Sequence, residues 1–115
     1  MIHPNKIIRF NLLFSTAIDG DYASQFHYYC DGIFPTVTVV LDTSERRFGG
    51  YNTQSWSRST VGNSTSRAPY SFLFNLTNKK KYKLSDQMNT SAIYRYENYG
   101  PSFGGGMNLY LSDQC

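Results

Sequence analysis

The chain has 115 residues and carries eleven Lys and Arg against eight Asp and Glu, which makes a formal net charge of +3. This length predicts one domain, and the 17% of aromatic residues argues against intrinsic disorder. No apolar run approaches the roughly 20 residues of a membrane-spanning helix, so we expect no transmembrane segment.

An apolar stretch opens the chain. Residues 7–15 are mostly apolar and precede the turn dipeptide Asp19-Gly20, so we predict a strand there. Arg9 and Asn11 interrupt this stretch, and it therefore does not resemble the apolar region of a signal peptide.

A helix is predicted over residues 21–30, the one segment with clear helical periodicity. Asp19 or Asp21 is placed to cap its start, and Gly32 lies just past its end. Four side chains recur at helical spacing on one face: Tyr22, Phe26, Tyr29 and Cys30.

The next segment predicts a β-hairpin. Residues 36–41 are rich in β-branched side chains, residues 42–45 form the turn, and residues 46–51 return as the partner strand. Three apolar side chains share one face of the first strand: Val37, Val39 and Leu41.

Glycines mark two places where the backbone decides the residue. Gly49 and Gly50 lie inside a predicted strand, where they must permit a bulge, a sharp twist or the close approach of another backbone. The run Gly104, Gly105 and Gly106 precedes a predicted strand, whereas a phosphate-binding loop precedes a helix, so we interpret this run as structural.

A long loop and several short strands are predicted for the second half of the chain. Residues 52–69 are Ser-rich and form the loop, which Trp56 anchors to the core, and Phe72 and Phe74 are core side chains of a strand over residues 71–76. The remaining elements are a turn at residues 79–81, strands at 82–84, 92–96 and 107–111, and a turn at 98–102 that contains Gly100 and Pro101. Short strands at this spacing predict a mainly β fold with minor α, an antiparallel two-sheet β-sandwich flanked by a short helix.

Candidate catalytic and binding residues are few. His27 and Cys30 lie about one helical turn apart, a pair that supports a hydrolase or an oxidant-scavenging enzyme as one alternative. A triad can also be written with His27, Asp19 and one of the many serines, although no G-x-S-x-G motif accompanies it. Trp56 and the tyrosines support a glycan-binding β-sandwich as another alternative. We identify no residue as catalytic or cofactor-binding. No ligand spacing for zinc or calcium occurs, so we identify none as metal-binding either.

Three other features carry little functional information. The lysines at 79–81 with Lys83 are interpreted as a solvated hairpin tip, so we expect no nucleic-acid partner. Cys30 and Cys115 do not make a disulfide framework, and their redox state stays open. Sequons, which matter only in a secreted protein, occur at Asn63, Asn75 and Asn89.

Several short motifs follow one another in a specific order over about residues 10–115. They are Leu12-Leu13-Phe14-Ser15-Thr16, Phe26-His27, Cys30-Asp31, Pro35-Thr36-Val37-Thr38, Phe48-Gly49-Gly50-Tyr51, Ser55-Trp56-Ser57, Phe72-Leu73-Phe74-Asn75-Leu76, Ala92-Ile93-Tyr94, the segment from Gly100-Pro101 to Gly106, and Asn108-Leu109-Tyr110-Leu111. In this order they resemble the TLDc domain of the oxidation-resistance proteins and their relatives.

This resemblance implies a two-sheet β-sandwich and a non-enzymatic, intracellular protein-interaction module. It also implies protection against oxidative stress and binding to the vacuolar proton-pumping ATPase, in the cytoplasm or peripherally at the membranes of acidic organelles. Against the usual extent of the family, residues 1–9 form a short lead-in and residues 10–115 a partial domain without its C-terminal strands. Loops often carry recognition, so we expect the partner surface at residues 52–69 and at the glycine-rich turn.

Overall fold

The computed structural model of the chain describes residues 9–57, 64–66, 68–83, 92–95, 98–104 and 109–112. Within these ranges the chain is mostly strand with two short helices, α1 (Thr16–Asp19) and α2 (Ala23–Cys30). The strands are β1 (Thr36–Leu41), β2 (Arg47–Asn52), β3 (Ser64–Ser66), β4 (Phe72–Asn75), β5 (Lys80–Lys83), β6 (Ile93–Arg95), β7 (Tyr99–Phe103) and β8 (Leu109–Ser112). The prediction of a mainly β fold with minor α is therefore confirmed.

The strands pair in two antiparallel groups. The first sheet has the order β1-β2-β4-β5, and β1 is paired with β2 along its whole length, from Thr36 opposite Asn52 to Leu41 opposite Arg47. The other strands pair in the order β3-β6-β7-β8. Two hairpins, β1-β2 and β4-β5, thus make up the first sheet, and they join where β2 pairs with β4.

The turn of the first hairpin is held by the Asp42 side chain. Its Oδ1 atom accepts the backbone N–H groups of Ser44 and Arg46, both at 2.9 Å, and its Oδ2 atom accepts the Arg46 Nε–H at 2.8 Å. These bonds, led by the one from the Arg46 backbone, hold the pKa of Asp42 below its usual value. These hydrogen bonds favour the ionised form of Asp42. They therefore stabilise the turn at pH values above the ordinary carboxyl pKa, and this stabilisation is lost as the pH falls through the lowered pKa of Asp42.

The predicted helix is confirmed as α2, but its buried face is rotated from the predicted one. The buried side chains are Ala23, Phe26, His27 and Cys30. Tyr22 and Tyr29, predicted on this face, are 46% and 42% exposed. The cap prediction was also wrong, because Tyr22 occupies the N-cap position without a side-chain hydrogen bond.

The strand predicted at the start of the chain is not observed over residues 9–15, and residues 7 and 8 lie outside the described ranges. Local hydrogen bonds take up the backbone instead. The Ser15 carbonyl accepts the N–H groups of Ile18 and Asp19 to form α1, and the Asp19 carboxylate accepts the Ser15 N–H at 3.0 Å. Side chains such as Asp compete with strand pairing through bonds of this kind.

Two predicted turns also differ. Gly100 and Pro101, predicted in a turn over residues 98–102, lie inside β7, where the pairing with β8 shifts register between Tyr99 and Ser102. Proline lacks an N–H group and is tolerated in a strand at such an irregularity.

The second displaced turn lies between β4 and β5. The Asn75 side chain accepts the Asn78 N–H at 2.9 Å and starts the turn at Leu76, before the predicted residues 79–81. Lys79 ends it with a φ of 56°, and the following lysines already belong to β5.

The buried core gathers side chains from α2, from β6 and β7 and from segments next to the strands, and Leu73 of β4 packs against it. It consists of Phe26, Cys30, Trp56, Ala68, Ala92, Ile93 and Phe103. Trp56 is 1% exposed, and its ring centroid lies 5.2 Å from that of Phe103 and 6.2 Å from that of Phe26. The segment predicted as one loop, residues 52–69, is interrupted by β3, while residues 58–63 and 67 lie outside the described ranges.

Candidate functional site

Two adjacent glycines in β2 lie where neighbouring groups leave no room for a side chain. A Cβ atom at Gly49 would strike the carbonyl oxygen of Thr38 and lie 3.0 Å from Cζ of Phe74. A Cβ atom at Gly50 would meet the Phe103 ring, with Cε2 at 2.6 Å. Gly49 therefore meets the predicted close approach of another backbone. At Gly50 the approaching group is an aromatic ring, which was not among the predicted reasons.

The side of the first sheet opposite Phe103 is the candidate interaction surface, which we call the Val39 face. Directly opposed residues of paired strands share one face, so the register defines its members. It comprises Val37, Val39 and Leu41 of β1, Arg47, Gly49 and Tyr51 of β2, Phe72 and Phe74 of β4, and Lys81 and Lys83 of β5. One cross-strand row thus runs Val39-Gly49-Phe74-Lys81, from an aliphatic edge to a cationic edge.

Aromatic rings form the middle of the Val39 face. The Phe72 ring lies 5.3 Å from Tyr51 and 6.3 Å from Phe74, measured between centroids. The Lys81 Nζ atom lies 4.3 Å from the centroid of Phe72, in a cation–π contact. The Phe72 and Phe74 side chains are half-buried, and Tyr51 is buried, so the centre of the face is less exposed than its aliphatic edge.

This surface was not predicted as a partner site, although its pattern is visible in the sequence. Alternation of threonine with valine and leucine over residues 36–41 identifies two faces of the strand but does not reveal which one stays exposed. In the structure the aliphatic side chains face outward, while Thr38 and Val40 are half-buried.

His27 is a buried side chain in a partly exposed polar cluster that ties α2 to β7. Its Nδ1 atom is 2.6 Å from Oδ1 of Asp31, and its Nε2 atom is 2.9 Å from the Tyr99 carbonyl oxygen, to which it donates. Both ring nitrogens thus have hydrogen-bond partners in the fold. Asp19, the acid of the alternative triad, instead accepts the Ser15 N–H.

Cys30 is 6% exposed and belongs to the core cluster. Burial, with smaller contributions from the charges of Asp31 and Asp19, raises the pKa of the Cys30 thiol to about 11. Since the thiolate is the reactive form, the thiol is inert near neutral pH.

We expect a soluble thiol reagent to modify native Cys30 at least roughly 100-fold more slowly at about pH 8 than in concentrated guanidinium, because the raised pKa and the burial both limit the thiolate. A Cys115→Ser variant isolates the Cys30 signal, and Cys30→Ser supplies the reference rate of Cys115. Equal rates in the native and denatured protein would contradict the assignment of Cys30 as a buried thiol with a raised pKa.

The same pKa difference predicts a pH dependence of stability. The unfolded thiol ionises first as the pH rises from 9.0 towards about 11, so the free energy of unfolding should fall over this interval.

A shallow pocket lies beside α2, away from these groups. It is lined by Phe14, Thr16, Asp21, Tyr22, Ala23, Phe26, Gly100, Pro101 and Leu111. Neither His27 nor Cys30 contributes to the lining, and Asp21 is its one acidic side chain. Within the described ranges, no three His, Cys, Asp or Glu side chains come together in a group that could hold a metal ion.

The other residues predicted to be structural are placed as follows. Gly100 and Pro101 are buried in β7, and Gly104 follows it with a φ of 85° while its N–H donates to the Ala92 carbonyl at 2.8 Å. Gly105 and Gly106 lie outside the described residues, as do Asn63, Asn89 and Cys115. In the part of the chain that the structure describes, neither helix is long enough to cross a membrane.

Comparison with protein families identifies the family to which the ordered sequence motifs belong. The family model described as the TLDc domain matches residues 1–115, the whole chain, which confirms the resemblance seen in the sequence. A search among curated proteins finds no match.

Proposed function

We propose, because the chain belongs to the TLDc domain family, that it acts as a protein-interaction module without catalysis of its own. The family match over the whole chain is the observation that carries this proposal. The TLDc domain is a protein-interaction-type domain. The exposed aliphatic side chains of β1 on the Val39 face support the same assignment, because exposed apolar patches are typical of interaction sites.

The proposal extends to the partner that the family resemblance implies, the vacuolar proton-pumping ATPase, and to protection against oxidative stress as the outcome. A cytoplasmic location at the surface of acidic organelles follows from that choice of partner. As a scaffold we infer a two-sheet β-sandwich. The ring of Phe103 from β7 against Gly50 of β2 supports this packing, as does Leu73 of β4 against the core cluster.

The alternative functions have less support from the geometry. An oxidant-scavenging or hydrolytic pair needs an open base and a reactive thiol, whereas His27 is bonded at both nitrogens and Cys30 has a raised pKa. Glycan binding through Trp56 needs an accessible ring, and this ring is 1% exposed with its Nε1–H donated to Thr36 at 3.0 Å.

Affinity capture tests the proposed function. The tagged chain, added to a lysate containing the assembled proton pump, is expected to recover pump subunits roughly tenfold or more above the tag alone, as a micromolar interaction would. The Gly50→Ala variant is a destabilised control, because its methyl group overlaps the Phe103 ring, and lower recovery with it would tie capture to the folded chain. Recovery of no pump subunit, together with unchanged ATP hydrolysis by isolated organelle membranes on addition of the chain, would argue against this partner.

A further inference from the structure

The aliphatic edge of the Val39 face is open to solvent. Val37, Val39 and Leu41 are 38%, 54% and 60% exposed, and Leu76, which follows β4, is 50% exposed beside Arg47, whose carbonyl accepts its N–H at 2.8 Å. Single exposed apolar side chains are common, but here three follow one another along one face of β1, and Leu76 lies across Arg47 from Leu41.

The charges on this face all have one sign. Arg47, Lys81 and Lys83 are exposed, and no cross-strand row of the face contains an acidic residue. The nearest acid along β1 is Asp42, which is already bonded to Arg46. An aliphatic surface with a cationic border therefore requires an occupant that is both apolar and acidic.

The geometry of the surface restricts the shape of that occupant. The backbone groups of β2 and β4 are used within the sheet, so a partner lying on the face must bind through side chains rather than as an added strand. Strands β1, β2 and β4 span about 10 Å across and six residues of β1 span about 20 Å, which matches the width of one helix and a length of about 13 helical residues.

We propose that the Val39 face binds one amphipathic helix of a partner protein, with its apolar stripe over Val39 and Leu41 and its carboxylates over Lys81 and Lys83. Residues two apart on β5 are separated by about 6.8 Å, close to the rise of about 6 Å between helix residues four apart. Acidic residues at i and i+4 beside the stripe therefore fit these two lysines. The inference rests on the proposed interaction function and names the surface and the partner chemistry for it.

A second copy of the chain is a poorer occupant. Two Val39 faces placed against each other would bring the same cations together, and like charges across an interface oppose association. An anionic lipid surface shares the required charge but not the shape of a single helix, so it serves as the competing outcome of the experiment.

The test uses the full chain and a fluorescently labelled helical peptide of about 14 residues, which has a leucine stripe flanked by glutamates four apart. A second peptide carries lysine in place of each glutamate. We expect the acidic peptide to bind roughly tenfold or more tightly than the lysine peptide at low salt, measured by fluorescence anisotropy. Val39→Asp and Lys83→Glu should each weaken the acidic peptide by roughly tenfold. Ile18→Ser, which removes an apolar side chain that is 75% exposed elsewhere, should leave it within about twofold.

Several results would overturn the proposal. Equal binding of both peptides, or a loss of binding with Ile18→Ser as large as with Val39→Asp, would contradict the acidic helix on this face. Binding of phosphatidylserine vesicles but not of the peptide would indicate a lipid surface instead. Self-association that Val39→Asp abolishes would indicate a second copy of the chain. Circular dichroism of each variant establishes that it is folded. If the chain captures pump subunits and Val39→Asp does not reduce that capture, the proposed function stands and this surface is wrong. If the peptide results hold without pump capture, the surface stands and the partner is wrong.

Discussion

Trp56→Ala is expected to lower the free energy of unfolding by about 3–5 kcal/mol, the range for truncating a fully buried large aromatic side chain. Trp56 is 1% exposed and packs edge-on against both Phe26 and Phe103, so its removal leaves a cavity between α2 and β7. The loss also leaves the Thr36 hydroxyl without the indole donor at 3.0 Å. Urea denaturation followed by circular dichroism measures this change, because the variant has no tryptophan left.

A phenylalanine at the same position separates packing from hydrogen bonding. Trp56→Phe keeps most of the ring contacts and loses the bond to Thr36, so we expect a cost of about 1–2 kcal/mol. In the unaltered chain the emission of this single tryptophan should be blue-shifted and should move to the red on unfolding. A cost below about 1 kcal/mol for Trp56→Ala would show that the segment after β2 is not anchored through this side chain.

The sequence predicts an element well where local signals decide it. Strand β1 was predicted with its observed bounds, because β-branched residues end at a turn that the Asp42 side chain closes by accepting the N–H groups of Ser44 and Arg46. The helix α2 was also found, from its periodicity. Its rotation was missed because Tyr22 and Tyr29 count as apolar in a pattern, whereas in the structure the buried positions are taken by His27 and Ala23.

Long-range packing decides the features that the sequence did not predict. Which face of β1 is exposed depends on Phe103 lying against Gly50, a contact between residues far apart in the chain. Pro101 predicted a turn, yet the irregular pairing of β7 with β8 accommodates it in a strand. His27 was paired with Cys30 by sequence distance, whereas its Nε2 atom donates to the Tyr99 carbonyl, a partner 72 residues away that only the fold supplies.

Gly49→Ala and Gly50→Ala are expected to differ in whether a second substitution can recover the lost free energy of unfolding. Gly50→Ala should cost about 2–3 kcal/mol, because the new methyl group overlaps the Phe103 ring. Gly49→Ala should cost about 3 kcal/mol or more, because the methyl group meets the Thr38 carbonyl and β1 cannot stay paired in its present register. Thermal and urea denaturation of the single variants, with Val40→Ala as an ordinary strand substitution for reference, measure both costs.

A second substitution at Phe103 distinguishes the two mechanisms. Phe103→Leu removes the ring that Gly50→Ala strikes, so the double variant should be more stable than the sum of the two single costs predicts, by about 1–2 kcal/mol. The same change combined with Gly49→Ala should be additive, because the obstacle there is a backbone carbonyl that no side-chain truncation can move. Additivity in both pairs would mean that Phe103 does not press on Gly50. The observed placement of the Val39 face depends on that contact, because Phe103 on one side of β2 leaves the aliphatic side chains of β1 on the other.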